Sequence, residues 1–374
     1  MKSFLLSGFM AFCAACAVMP FAGKLSRRLG AVSETGGRHV GVVPVGRLGG
    51  GGALFAVFLA VFLHIIIDPS IRVAFQEQQQ QILGLIIGVI LVATIGIWDD
   101  IRRVKALLKL SIQIISAIVA YAFGLRITGV DLPLLDPIDL GWLSLPATVV
   151  WIVGVVNAVN LIDGLDGLAG GVILFSCLVN LVAAIKLGAI VPVVLMISVF
   201  GAILGFLLYN WYPAKIFLGD GGAYSMGFIL AITGLLNPVQ KSSTGIGLLI
   251  PILSLGLPIF DMLLTMFRRA VNRRGIFSPD RGHVHHILLD SGISHQRVVL
   301  CLYLVCCALC SVALATMLSR DKIIGLVIIA FSVVCFTFWS SLFMKQSRQS
   351  VLRFKSVFHQ SGSGKNDKKA GPKI

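Results

Sequence analysis

Apolar windows of about 16 to 22 residues recur along the whole chain, separated by short polar joints. They fall at about 3–23, 49–67, 80–98, 106–124, 144–162, 167–185, 189–209, 222–237, 246–267, 298–318 and 323–344. A helix needs about 20 consecutive apolar residues to cross the hydrocarbon of a bilayer. The eighth window is short and contains glycine, so its edges are the least sharply drawn. Alternation with period two, the mark of a membrane barrel strand, is absent. The pattern predicts an all-α, polytopic integral membrane protein of about 11 transmembrane helices. They form one membrane domain over 1–344, followed by a Ser-, Gly- and Lys-rich tail over 345–374 that is expected to be disordered.

Composition agrees: 57% of residues are hydrophobic and 13% charged, with a mean hydropathy of +0.95, whereas soluble domains carry about 25% charged residues. All eight cysteines lie inside apolar windows. Cys13/Cys16 and Cys307/Cys310 have CxxC spacing but no second pair or histidine at metal spacing, so they read as small packing residues. Lys2 before an apolar run resembles a signal peptide. The run is long enough to span and basic residues follow it, which favours an uncleaved first helix.

Charge sets the orientation. Loops 24–48, 99–105, 163–166, 210–221 and 268–297, together with the tail, carry 23 of the 31 Lys and Arg. The positive-inside bias makes that side cytoplasmic, with the N-terminus outside and the C-terminus cytoplasmic. The net charge of +15 therefore sits in juxtamembrane loops, where anionic headgroups and substrates account for it. A soluble basic domain for nucleic acid is missing.

The candidate chemistry lies on the same side. Only 16 acids serve 374 residues, yet Asp99-Asp100, Asp163, Asp166 and Asp220 all stand at the edges of apolar windows. Adjacent carboxylates near a bilayer need a proton or cation to offset their repulsion. The alternative for Asp99-Asp100 is an acidic helix end paired with Arg102, Arg103 and Lys105. In Asn157-Ala-Val-Asn160-Leu-Ile-Asp163-Gly164-Leu-Asp166-Gly167, the two Asn are three apart and share a helix face, expected to turn toward the carboxylates. Gly164 and Gly167 allow backbone to approach a ligand. An Asx-rich turn explains the glycines but not two Asn at membrane depth.

Asn210 through Gly222, with Phe217 and Asp220, opens a helix behind flexible glycines. That geometry suits phosphate, and a carboxylate there can hold the accompanying magnesium. A plain capping role for Asp220 is the competing reading. The loop Ser278-Pro-Asp280-Arg281-Gly-His283-Val-His285-His286 offers His and Arg to phosphate oxygens. Zinc is a minor reading, because no Cys stands at ligand spacing. Asp261, inside the ninth window, is a functional candidate as an intramembrane acid, with pairing to Arg268 or Arg269 as the structural alternative. His64 reads as a packed residue. Gly49–Gly52 could admit a ligand or a neighbouring helix.

With these motifs in this order, over about 35–300, the chain resembles the polyprenyl-phosphate N-acetylhexosamine-1-phosphate transferases of the glycosyltransferase 4 type. It is most similar to the undecaprenyl-phosphate N-acetylglucosaminyl-1-phosphate branch, since the histidine loop lacks the Phe-Glu that follows consecutive histidines in the phospho-N-acetylmuramoyl-pentapeptide branch. The resemblance implies a bacterial inner-membrane enzyme working at the cytoplasmic face. Such an enzyme moves a sugar 1-phosphate from a UDP-N-acetylhexosamine to polyprenyl phosphate and releases UMP, starting a cell-envelope polysaccharide such as lipopolysaccharide O-antigen.

By position it implies Asp99 and Asp100 at the reacting phosphates, and Asp220 as ligand of Mg²⁺, with Mn²⁺ as substitute. Asn157, Asn160, Asp163, Asp166, Asn210 and Phe217 fall in the nucleoside and magnesium-side pocket, with Asn160 next to the metal. Arg281, His283, His285 and His286 fall in the substrate-phosphate loop. Gly46 stands where relatives usually have Pro. Membrane lipids and the two substrates are the expected partners, nucleic acid is not, and a homodimer is an open option. A transporter is the main alternative, but its polar groups would sit near the midplane in two matching halves. A scaffold for polysaccharide assembly leaves the acids unexplained.

Overall fold

In the computed structural model, residues 2–33, 44–130, 138–236, 249–271 and 283–318 are described. The eleventh window, the tail and Arg281 lie outside them. The described chain is helical: α1 (Lys2–Leu29), α2 (Gly49–Ile67), α3 (Pro69–Glu77), α4 (Gln79–Ile101), α5 (Ala106–Ala122), α6 (Ser144–Ile162), α7 (Leu168–Lys186), α8 (Ile190–Asn210), α9 (Gly219–Leu236), α10 (Leu249–Ser254), α11 (Gly256–Val271), α12 (Val284–Asp290) and α13 (His295–Leu318). Seven of these are long and apolar enough to cross a membrane: α1, α2, α4, α6, α7, α8 and α13. The protein is a multi-pass, all-α membrane protein.

The structure departs from the hydrophobic pattern in four places. The ninth window is broken into α10 and α11. Pro258 lacks the N–H that would close a helical bond to Ser254, and Gly256 adds freedom at the same point. The third window runs on to Ile101, so Asp99 and Asp100 lie in the last helical turn of α4 instead of beyond it. A polar helix, α3, follows α2 directly, with Asp68 accepting from the Ser70 N–H at 2.9 Å as its N-cap. A two-residue antiparallel pair, β1 (Gly129–Val130) with β2 (Ile138–Asp139), precedes α6.

α9 is the hub. All its residues but Asp220 are buried, and α2, α4 and α6 pack around it. Close approach at its N-terminal end depends on absent side chains. A Cβ at Gly50 would fall 2.0 Å from Gly222 Cα, and one at Gly96 would fall 2.6 Å from Gly221 Cα. Backbones can meet this closely only where small residues face each other, which is how helices gain dispersion contact in lipid. Outside this core, α1 packs along α8 and α2, and Ser7 and Ser198 share a 2.6 Å hydrogen bond across α1 and α8. At the end of the bundle opposite the acids, buried His64 lies 2.9 Å from Ser3 Oγ, which donates to Asp68 at 2.5 Å. Hydrogen bonds from Ser3 and Ser70 hold the Asp68 carboxyl down at about 2.

Gly222→Ala is expected to destabilise the bundle by about 1–3 kcal/mol through overpacking, seen as a lower melting temperature in detergent. Gly23→Ala, where a Cβ meets nothing within 4 Å, should be neutral or raise stability by about 0.5–1 kcal/mol.

Candidate active site

The N-terminus of α9 is capped from another helix. Asp100 Oδ1 accepts from the Asp220 N–H and Oδ2 from the Gly221 N–H, both at 3.0 Å. Free N–H groups at a helix start attract a carboxylate by hydrogen bonding and by the helix dipole. Gly219 makes the entry possible. Its φ is +73°, and a side chain there would collide with Arg47 O and the Asp100 carboxylate. Asp100 thereby places Asp220 while itself lining a cavity, and the cap that the sequence offered to Asp220 belongs to Asp100.

Two cations knit the acids together. Arg47 Nε lies 3.2 Å from Asp100 Oδ1, and its Nη2 3.5 Å from Asp220 Oδ1. Lys109 Nζ lies 2.9 Å from Asp99 Oδ2 and 3.2 Å from Asp220 Oδ2. Asp99 Oδ1 also accepts from the Val104 N–H at 2.6 Å. Asn160 Nδ2 and Tyr224 Oη donate to Asp220 at 3.2 and 3.1 Å. Each of these partly buried carboxylates thus has more than one donor, and the shared contacts hold the geometry. Arg47 and Lys109 escaped the reading of the sequence. Lys109 was legible as a lone cation inside an apolar window, the same signal that marked Asp261. Arg47 carried no signal beyond its place before the glycines.

Asp99 and Asp100 line a cavity of about 870 Å³ together with Arg47, Arg103, Asp163, Gly164, Asp166, Asn210 and Phe217, and Asp220 is joined to that wall through Asp100 and Arg47. Two loops are tied to form its wall. Asn210 accepts from the Gly167 N–H at 2.9 Å and donates to Ile216 O at 2.8 Å, and Asp166 Oδ2 accepts from the Ala214 N–H at 2.9 Å. Phe217 is held by its backbone, donating to Gly46 O at 2.7 Å and accepting from the Gly49 N–H at 3.0 Å. Gly46 fits here because a Cβ would lie 2.5 Å from that of Ser26.

Asn157 does not join the carboxylates. Its amide donates to Gln113 Oε1 on α5 at 2.7 Å and to Val153 O at 2.8 Å, one turn deeper than Asn160. The two Asn share a face, but neighbouring α5 takes the deeper one. The histidines reach the cavity wall through His285, whose Nε2 fills the space a Gly164 side chain would need. His283, His285 and His286 stack or tilt against one another with ring centroids 4.3 to 6.5 Å apart. Among the described residues, no three His, Cys, Asp or Glu side chains converge as a metal cage.

Electrostatics at the cavity are acid-heavy. Five carboxylates gather there, with Asp99, Asp100, Asp163 and Asp166 lining the cavity and Asp220 bonded behind them, against the three cations Arg47, Arg103 and Lys109. Burial, then the negative charges of Asp220 and Asp100, push the Asp163 carboxyl up to about 7. Magnesium suits such a set. It binds through one or two carboxylates, keeps several waters and takes the rest of its shell from phosphate oxygens, so it needs no full protein cage. Asp220, Asp99 and the Asn160 amide offer the oxygens. His285 is neutral, since burial and its His286 and His283 neighbours lower it to about 4.

The model of glycosyl transferase family 4 matches residues 82–237. A Bacillus subtilis (strain 168) protein, a probable undecaprenyl-phosphate N-acetylglucosaminyl 1-phosphate transferase, is 36% identical over 77% of this chain and 78% of its own length. The decaprenyl-phosphate N-acetylglucosaminephosphotransferase of Mycobacterium tuberculosis is 35% identical, over 75% and 74%. A phospho-N-acetylmuramoyl-pentapeptide-transferase of Streptococcus mutans is 30% identical over 48% of this chain and 53% of its own length.

The His285 shift sets a pH dependence. From pH 6.5 down to about 4 the unfolded chain takes up a proton that the folded site refuses. Its contribution to stability is complete above 6.5 and is lost as the pH falls through that window. His285→Gln is expected to flatten the fall in melting temperature between pH 6.5 and 4.5; an unchanged slope would contradict this.

Proposed function

The chain belongs to glycosyl transferase family 4, and we propose that it transfers N-acetylglucosamine 1-phosphate from the UDP-sugar to undecaprenyl phosphate, releasing UMP. The observation that carries this reading is the network that joins Asp99, Asp100 and Asp220 with Lys109 and Arg47, of which Asp99, Asp100 and Arg47 line one cavity. It joins a cluster in which acids outnumber cations, which favours a divalent ion, to a pocket large enough for a sugar nucleotide. The similar proteins of B. subtilis and M. tuberculosis support N-acetylglucosamine over the muramoyl-peptide donor.

The chemistry follows from charge. A phosphomonoester acceptor has a second pKa near 6 and is largely dianionic at neutral pH. Its oxygen attacks the phosphorus that bears the sugar; the bond to the bridging oxygen breaks, and UMP leaves with that oxygen. No strong base is required, so Asp99 serves mainly to position. The obstacle is bringing a dianion against a diphosphate, and stabilising the charge that builds there is what preorganised cations do. Lys109 and Arg47 stand ready for this on the protein side. Asp220, Asp99 and Asn160 would hold Mg²⁺, which when bound neutralises phosphate oxygens in the transition state. Asp163, Asp166 and Phe217 border the cavity where the nucleoside would lie, and the histidine loop would border the sugar phosphates.

The same reading assigns about eleven spans, an outer N-terminus, a bacterial inner membrane and a site that opens to the cytoplasm, where UDP-sugars are made. The lipid-diphosphate sugar would then start a cell-envelope polysaccharide. A transporter would hold its polar groups around the midplane, whereas these acids gather at one end of the bundle.

Membranes given UDP-[14C]N-acetylglucosamine and undecaprenyl phosphate are expected to yield labelled lipid and UMP in equal amounts. Label trapped in vesicles without UMP would support transport instead. Asp220→Asn should abolish turnover at every magnesium concentration. Lys109→Met should lower kcat by about 100-fold or more; retention of wild-type kcat would remove Lys109 from the reaction.

A further inference from the structure

Asp261 is a buried acid, 1% exposed, on the inner face of α11. The sequence marked it as a functional candidate, with pairing to Arg268 or Arg269 as the structural alternative. Its carboxylate instead serves the histidine loop. Oδ2 lies 2.9 Å from His283 Nδ1, and Oδ1 accepts from the Val284 N–H at 3.0 Å. Thr265, one turn further along the same buried face, brings Oγ1 to within 3.4 Å of the same ring nitrogen. His283 is the N-cap residue of α12 and makes no side-chain cap of its own. The cap comes from α11, and a single carboxylate fixes both the ring and the helix it introduces.

What α12 carries explains why that fixing matters. Two residues on, His285 is 2% exposed, and its ring stacks against His283 at 5.8 Å between centroids and 9° between planes. Its Nε2 abuts Gly164, between Asp163 and Leu165 on the cavity wall, while its Nδ1 has no hydrogen-bond partner among the described residues. An ordered chain of contacts thus runs from Asp261 through His283 and α12 to His285 and the Asp163–Gly167 loop.

We infer that Asp261 is a positioning residue for the transfer: it holds the proton of His283 on Nδ1, leaves Nε2 as the free end of that ring, and seats His285 against the cavity wall. A carboxylate that accepts from one imidazole nitrogen fixes the tautomer and orientation of the other. Asp261 touches no substrate in this scheme. The inference rests on the transferase reading above.

The test compares full-length wild type, Asp261→Asn, His283→Asn and the double variant in detergent, reading kcat and KM for UDP-N-acetylglucosamine by UMP release, alongside melting temperature. Asp261→Asn is expected to lower kcat/KM by about 10–100-fold, with the double variant no slower than His283→Asn alone. Wild-type kcat/KM in Asp261→Asn overturns the inference, as does a double variant whose loss is the product of the two single losses. A lower melting temperature with unchanged kcat/KM of the folded enzyme would reduce Asp261 to a structural residue and overturns it equally. If Asp261→Asn does not accumulate in membranes, Asp261→Glu replaces it, keeping the charge but moving the carboxylate by a methylene. Reduced kcat/KM at a near-normal melting temperature supports the inference, and wild-type kcat/KM sinks it. Absence of UMP release by the wild type is a separate failure, of the transferase reading itself.

Discussion

Backbone-to-backbone contact at the start of α9 governs the remainder of the site. Gly50 against Gly222 and Gly96 against Gly221 bring three helices closer than any side chain would allow. At that distance the Asp100 carboxylate reaches the exposed N–H groups of α9 and closes its end. Asp220 is thereby set beside Asp99, where both share Lys109. A bulkier residue at any of those glycines would push the helices apart and separate the acids before it altered any of them chemically.

The second constraint is charge in a medium that tolerates little of it. Carboxylates this close repel strongly at low dielectric, so each must be shared with a donor. Arg47 spans Asp100 and Asp220, Lys109 spans Asp99 and Asp220, and Asn160 and Tyr224 fill remaining acceptor sites on Asp220. The balance still falls short of neutral. Asp163, whose pKa is raised first by burial and then by the Asp220 and Asp100 charges, stands in that surplus of negative charge, which a divalent ion and a phosphate-bearing substrate would jointly satisfy. The same principle reappears at Asp261, where a buried acid is made tolerable by an imidazole and a backbone N–H.

Much of this was legible in the chain. Window length and spacing gave away a multi-pass helical protein, and acids too scarce to be casual marked Asp99, Asp100, Asp163, Asp166 and Asp220 as a group. What escaped was whatever depends on neighbours far away in sequence. Asn157 and Asn160 obey helical spacing equally, yet Gln113 on α5 captures one and Asp220 the other. Asp100 looks like the twin of Asp99 until α9 is seen to need a cap. Arg47 lies in a loop with many basic residues and is singled out only by its distance to the acids. The break between α10 and α11 was signalled by Gly256 and Pro258, but average hydrophobicity smoothed over it.

The ends of α4 and α9 build one cleft, and the proposed transfer requires that cleft to open to the cytoplasm. The most direct test is accessibility of single cysteines in a background where the native cysteines are replaced. Arg103→Cys, just past α4, and Lys215→Cys, just before α9, are each exposed to a membrane-impermeant maleimide in intact cells and in inverted vesicles. Both should react only in inverted vesicles. If the two react from opposite sides of the membrane, the acids do not share a site and the account fails.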